Sequence, residues 1–148
     1  MRIPLRTENR GRLIPNLFLA VLGPRNMAHF DAIIDTGSDT TIISYKDAGL
    51  LQISIKNKPT AKRIQGIGST EAQICEYNKE LTFFLTKEDG TKFKVISQKT
   101  YISKEERGAN ITIIGMDFLK ENNLQFFYNP NGVAYLERVE KETEEINK

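Results

Sequence analysis

The stretch FDAIIDTGSDTTIIS, residues 30–44, places a polar turn between two apolar segments. The segment before Asp35 is apolar and the segment TTIIS is β-branched, so both are expected to be strands. Asp and Gly are ordinary turn residues, so a plain connection between two strands would explain the stretch. The alternative is that Asp35 is held near a buried site because it takes part in chemistry.

The composition is that of one soluble globular domain. The chain has 148 residues, of which 39% are hydrophobic and 27% are charged, and its formal net charge is +2. A charge this close to neutral gives no reason to expect binding to nucleic acid or to a membrane surface. No apolar run approaches the ~20 residues of a membrane span, and the N-terminal residues lack the apolar core of a signal peptide. A cytoplasmic location is therefore expected.

The single histidine and the single cysteine restrict the possible chemistry. A Ser/His or Cys/His hydrolase would rest on His29 alone, and one cysteine permits neither an intramolecular disulfide nor a multi-cysteine metal site. His29 alternates with apolar residues along a predicted strand, so we expect it on the solvent side or at an interface. Cys75 is expected to be a small buried hydrophobe. No metal or organic cofactor is expected.

Alternating and β-branched segments predict a mainly β chain built from hairpins. Turn residues separate the predicted strands at GPRN (residues 23–26), at KEDG (87–90) and at NPNG (129–132). Gly66 and Gly68 lie between two further alternating segments and mark another hairpin tip. The segment YKDAGLLQI, residues 45–53, fits either a short helix or an irregular turn. One short helix is predicted late in the chain, over residues 116–122.

Three features together resemble the aspartic proteases of the retroviral type, the retropepsins. They are AII before Asp35, SDTTII after Gly37, and ITIIG (residues 111–115) directly before the predicted helix. The resemblance extends to the related domain of eukaryotic DNA-damage-inducible ubiquitin-shuttle proteins and covers roughly residues 17–128. It implies an acid-protease-like closed β-barrel with a glycine-rich flap hairpin and one short late helix. The expected organisation is an N-terminal arm (1–12), a protease domain (13–136) and a charged tail (137–148), helical or disordered.

The resemblance implies a role for each residue of the motif. Asp35 matches the catalytic aspartate, and Thr36 matches the residue whose hydroxyl braces two active-site loops against each other. Gly37 matches the glycine that lets the substrate backbone approach, and Asp39 lies where the family binds substrate main chain. The segment IQGIGST, residues 64–70, resembles the flap, and IIG, residues 113–115, resembles the strand beside the catalytic loop. The remaining expected substrate-binding residues are Ser38, Ile42, Ile64, Gly66, Ile67, Gly68 and Ile113.

The isoleucines of this set leave two interpretations open. They could line an apolar pocket for peptide side chains, or they could be ordinary core residues. The same alternatives apply to Ile42, Ile64, Ile67, Ile111 and Ile113.

Two positions depart from the usual retroviral pattern. Many retroviral enzymes carry arginine directly after the apolar-apolar-Gly motif, where this chain has Met116, so Asp39 is expected to pair with Arg6 or Arg12 or to stay solvated. Many also have alanine directly after DTG, where this chain has Ser38. A serine hydroxyl there is expected to donate a hydrogen bond to the outer oxygen of Asp35.

The motif DTG occurs once, whereas amide hydrolysis by two carboxylates that share a proton needs two aspartates. The sequence therefore predicts a homodimer in which a two-fold axis brings together one Asp35 from each subunit. The expected function is an aspartic endopeptidase that acts on a protein or peptide substrate. The alternative is a non-catalytic peptide-binding or dimerisation module on the same fold.

Overall fold

The computed structural model describes residues 1–8, 13–65, 71–105 and 111–139. Twelve strands and two helices are assigned in these ranges. The elements are β1 (Arg2–Leu5), β2 (Asn16–Leu22), β3 (Met27–Ile34), β4 (Ile42–Ile43), α1 (Tyr45–Leu50), β5 (Lys62–Gln65), β6 (Glu71–Tyr77), β7 (Leu81–Thr86), β8 (Lys92–Ser97), β9 (Thr100–Ser103), β10 (Thr112–Ile114), α2 (Met116–Glu121), β11 (Leu124–Tyr128) and β12 (Ala134–Arg138).

Nine strands form one sheet in the order β5-β6-β9-β4-β10-β3-β2-β7-β8. Most neighbours are antiparallel, but β10 pairs with β3 in parallel, with Ile114 opposite Ile34. This pairing brings the end of a late strand beside the end of an early one. The residues that follow the two strands, Asp35 and Gly115, therefore lie next to each other.

The mainly β class predicted from the sequence is confirmed, whereas a closed barrel is not seen. Within the described ranges the nine-stranded sheet ends at β5 and β8, and those two edge strands do not pair with each other. The turns GPRN, KEDG and NPNG join strand pairs β2/β3, β7/β8 and β11/β12, as the turn residues predicted.

A separate three-stranded sheet joins the two ends of the chain, in the order β1-β12-β11. Arg2 pairs in register with Glu137, and their side chains form an ion pair at 3.5 Å. The strand β1 lies within the expected N-terminal arm, and β12 extends past residue 136, to Arg138. The division expected at 136/137 thus falls inside a strand; residues 140–148 lie outside the described residues.

Alternation along β2 and β3 separates the core from the outer face. Leu17, Leu19 and Val21 are buried, and the outward Phe18 is 54% exposed. His29 is exposed and stacks on Phe18 with ring centroids 5.8 Å apart, which agrees with the predicted solvent-side position. Cys75 on β6 is fully buried, also as predicted.

The chain contains two short helices in the described ranges, where the sequence analysis counted one. The segment left open as helix or turn forms α1. Ser44 caps it, since the Ser44 Oγ accepts a hydrogen bond from the Asp47 amide at 3.1 Å, and Ala48 and Leu51 bury its inner side. Neither helix exceeds six residues, and no described helix is long and apolar enough to cross a membrane.

Candidate active site

Asp35 lies directly after β3, at the start of a tight turn. Its amide donates to the Ile114 carbonyl at 3.0 Å, and its carbonyl accepts from the Ser38 amide at 3.1 Å. The Gly37 amide donates to Asp35 Oδ1 at 2.9 Å. These three hydrogen bonds orient a half-buried carboxylate with backbone groups alone. A methyl group at position 37 would lie 3.2 Å from the same Oδ1, so glycine keeps the space beside the carboxylate open.

The tip of this turn faces solvent in the single chain. Thr36, Gly37 and Asp39 are exposed, whereas Ile33 and Ile34 immediately before Asp35 are buried. A half-buried carboxylate between a buried strand and an exposed tip can contact a molecule that covers the tip. The three DTG residues predicted from the sequence are therefore brought together at an accessible surface.

Gly115 packs directly against the backbone of the turn. A Cβ atom at this position would lie 2.5 Å from the Thr40 carbonyl oxygen and 2.8 Å from the Ser38 carbonyl oxygen. The Met116 amide donates to Ser38 O at 2.8 Å, and the Asp117 amide donates to Asp39 O at 3.2 Å. The start of α2 thus supports the segment after DTG through its first amides, which have no partner inside the helix.

Asp117 provides a second support, which the sequence analysis missed. Its carboxylate accepts from the Thr41 hydroxyl at 2.7 Å and from the Thr41 amide at 3.1 Å, and Thr41 Oγ1 accepts from the Gly115 amide at 3.0 Å. The sequence signal was an acidic residue in the first turn of a helix whose N-cap, Gly115, has no side chain to cap it. Asp117 is a positioning residue because it acts through Thr41.

Ser38 does not make the predicted contact with Asp35. Its hydroxyl donates to the Thr40 carbonyl at 2.8 Å, and its oxygen lies 3.4 Å from the Thr40 amide. A hydroxyl has one proton to donate, so donation to Thr40 leaves none for the Asp35 carboxylate. The expected Ser38–Asp35 hydrogen bond is wrong, because the hydroxyl donates to a backbone carbonyl two residues ahead.

Of the alternatives expected for Asp39, pairing with Arg6 is not found. Arg6 forms an ion pair with Asp31 on β3 instead, and Arg12 lies outside the described residues. The Asp39 side chain is exposed, which corresponds to the solvated alternative.

A buried polar cluster lies behind β10. The Asp47 carboxylate accepts from the Thr112 hydroxyl at 2.7 Å, and Thr112 Oγ1 accepts from the Ser44 amide at 3.1 Å. Burial is the largest influence on Asp47 and raises the pKa of its carboxyl above the ordinary 3.8, although the hydrogen bond from Thr112 acts in the opposite direction.

Within the described ranges no three His, Cys, Asp or Glu side chains are grouped as metal ligands would be.

The sequence matches the family model of retroviral aspartyl proteases over residues 14–126. The chain belongs to the retroviral aspartyl protease family. A comparison with curated protein sequences finds no match. Among solved structures, the fold is similar to that of a retropepsin-like aspartic protease from Rickettsia conorii, with a TM-score of 0.56 and 15% identity over 92% of this chain and 90% of that one.

Two further solved structures are similar at lower scores. EIAV protease complexed with the inhibitor HBY-793 has a TM-score of 0.46 and 18% identity, over 77% of this chain and 92% of that one. The retroviral protease-like domain of Ddi1 from Leishmania major has a TM-score of 0.44 and 17% identity, over 80% of this chain and 90% of that one.

The segment expected to be the flap of this family member is described in part. The strands β5 and β6 are antiparallel, with Gln65 opposite Glu71, whereas Gly66, Ile67 and Gly68 lie outside the described residues. Of the other expected pocket residues, Ile42 is 5% exposed, and Ile64, Ile111 and Ile113 are half-buried. Peptide contact by these residues stays a prediction.

Proposed function

We propose that this chain is a homodimeric aspartic endopeptidase that hydrolyses peptide bonds in proteins or peptides, without a metal or organic cofactor. The observation that carries the proposal is the Asp35 turn. One oriented, half-buried carboxylate lies at the edge of an exposed tip, beside a glycine that leaves room for another backbone. Membership of the retroviral aspartyl protease family supports the same activity.

In the proposed dimer the two Asp35 carboxylates meet at the two-fold axis and share one proton, because two like charges about 3 Å apart do not both ionise. The ionised carboxylate accepts a proton from water as the water oxygen attacks the peptide carbonyl carbon. The protonated carboxylate donates its proton to the carbonyl oxygen. As the tetrahedral intermediate collapses, the C–N bond breaks and the amine leaves with a proton from one carboxylic acid of the dyad, while a hydroxyl of the intermediate returns its proton to the other carboxylate, which restores the shared proton.

The other residues of the turn have supporting roles in this proposal. The Thr36 hydroxyls of the two subunits brace the turns against each other, and Gly37 admits the substrate backbone. The Gly37 amide keeps each carboxylate oriented before substrate binds. The β5/β6 hairpin covers the bound peptide as a flap.

A cytoplasmic location is part of the same proposal. The single cysteine is buried, so no cysteine of the described part of the chain is placed for a bond between subunits. Fractionation of cells that express the tagged full chain tests this location; recovery in a membrane or extracellular fraction would contradict it.

A mixing experiment tests the shared site. Asp35→Asn keeps the shape of the side chain but removes the ionisable group, so a heterodimer has one carboxylate and is inactive. Because dimers form at random after subunit exchange, a ninefold excess of Asp35→Asn chains should lower the activity per wild-type chain to about one tenth. The readout is cleavage of unfolded casein, with titration by a statine-type inhibitor to count active sites.

The matched control is Asp31→Asn, which removes another carboxylate four residues earlier on β3. An excess of Asp31→Asn chains should not suppress activity. If activity stays proportional to the concentration of wild-type chains at any excess of Asp35→Asn, one chain contains a complete site. A purified Asp35→Asn protein that cleaves at the wild-type rate would show that Asp35 is not the catalytic group, and a wild type that binds peptide without cleaving it would leave the non-catalytic alternative.

A further inference from the structure

A lysine from the flap stem lies against the segment that follows the catalytic motif. Lys62 is the first residue of β5, and its Nζ donates to the Thr40 hydroxyl at 3.0 Å. Thr40 is 8% exposed and follows Asp39, where the family binds substrate main chain. An ammonium group is thereby placed beside the expected path of a bound peptide.

The surroundings of Lys62 leave its charge without a carboxylate partner in the described part of the chain. Its Nζ also lies 4.8 Å from the centre of the Tyr101 ring, and Lys99 Nζ lies 5.5 Å from the same centre. Lys99 is neutralised, because it forms an ion pair with Glu76 at 3.0 Å. Lys62 has three N–H donors, of which Thr40 accepts one, and its side chain is exposed.

We propose that Lys62 makes the site selective for substrates with an acidic side chain near the cleaved bond. The proposal rests on the proposed function above. A glutamate or aspartate side chain would receive a charge-assisted hydrogen bond from Lys62, whose position the Thr40 hydroxyl and the Tyr101 ring already define. In a homodimer each subunit supplies one Lys62, so the preference appears on both sides of the cleaved bond.

Asp39 directly precedes Thr40, the hydrogen-bond partner of Lys62, and opposes this preference by repelling an acidic side chain. Asp39 makes no ion pair with Lys62 within the described ranges, so it does not cancel the lysine charge through contact. Its carboxylate is exposed and therefore screened by water and salt. The short contact with Lys62 should therefore dominate, and the selectivity should weaken as salt concentration rises.

The test compares cleavage of a proteome-derived peptide library by four full-length proteins at pH 6, where glutamate side chains are ionised. The proteins are wild type, Lys62→Met, Lys62→Arg and Lys92→Met. Lys92 is the matched control, because its Nζ also donates to a threonine hydroxyl, Thr86, at 2.6 Å, but from the opposite edge strand of the sheet. Peptides in which cleavage favours an acidic residue at one position are then synthesised in two forms, with Glu or with Gln at that position, and kcat/KM is measured for both.

Wild type should cleave the Glu member about threefold to tenfold faster in kcat/KM than the Gln member. Lys62→Met should reduce this ratio to about one, whereas Lys62→Arg and Lys92→Met keep it, and 0.5 M NaCl should lower it in wild type. Two results would overturn the proposed selectivity alone. One is that the peptides cleaved by wild type show no enrichment of acidic residues. The other is that Lys62→Met lowers kcat/KM equally on the Glu and the Gln peptide. Cleavage of casein by Asp35→Asn at the wild-type rate, in the assay described above, overturns both proposals.

Discussion

Replacement of Gly115 by alanine tests how closely the start of α2 must approach the DTG turn. The backbone of Gly115 is extended, with φ −98° and ψ −176°, so alanine adopts it without strain. The cost comes from space. The new Cβ would lie 2.5 Å from the Thr40 carbonyl oxygen and 2.6 Å from its carbon, where ordinary contact begins at 3.4 Å.

The magnitude follows from the movement that relieves this overlap. The two segments must separate by about 0.9 Å for the shortest distance to rise from 2.5 to 3.4 Å. Such a shift lengthens the hydrogen bonds from Met116 N to Ser38 O (2.8 Å) and from Asp117 N to Asp39 O (3.2 Å) beyond useful range. Two lost hydrogen bonds at about 1 kcal/mol each and about 1–3 kcal/mol of strain give a loss of roughly 3–5 kcal/mol in the free energy of unfolding.

The measurement is urea unfolding followed by circular dichroism, because the chain contains no tryptophan for fluorescence. All proteins are compared at one chain concentration, since the proposed dimer would make the midpoint concentration-dependent. Gly49→Ala is the control: Gly49 lies inside α1, and nothing lies within 4 Å of a Cβ there. It should stabilise the protein by about 0.5–1 kcal/mol. A Gly115→Ala protein within about 1 kcal/mol of wild type would refute the close-packing argument.

Three further predictions concern the supports of the site. Thr41→Val removes the hydroxyl that joins Asp117 to the Gly115 amide, so the free energy of unfolding should fall by about 1–3 kcal/mol in urea; no change would mean that water replaces the hydroxyl. Burial raises the pKa of Asp47 in the folded protein, so the wild type should lose stability as pH rises from about 4 through that raised pKa. The free energy of unfolding of Asp47→Asn minus that of wild type should therefore increase over the same range. A difference that stays constant from pH 3.5 to 8 would contradict this. The fully buried Cys75, whose thiol pKa burial also raises, should react with Ellman's reagent only as fast as the protein opens; immediate labelling of the native protein would contradict the buried position.

Local patterns were sufficient to predict much of the fold. Alternation predicted β3 with the bounds that the structure gives it, and turn residues predicted the β7/β8 and β11/β12 hairpins. These features were predictable because strand periodicity and turn geometry depend on neighbouring residues. The placement of Asp35 at the end of a buried strand also followed from the sequence. The number of helices did not, because α1 has six residues and its stability depends on the Ser44 cap and the burial of Ala48.

The sequence by itself determined the DTG turn and the strand before it, since these follow from residue types, and the single copy of the motif is the basis for the proposal that a second aspartate comes from another chain. Only the tertiary structure decided which groups support the turn. Thr41 and Asp117 are far apart in sequence and meet because β10 pairs with β4, and Lys62 reaches Thr40 from the β5/β6 hairpin. The Ser38 hydroxyl donates to the Thr40 carbonyl, a partner that the turn geometry determined and the residue order did not. Hydrogen-bond partners depend on distances of a few tenths of an ångström, which packing sets and residue order does not.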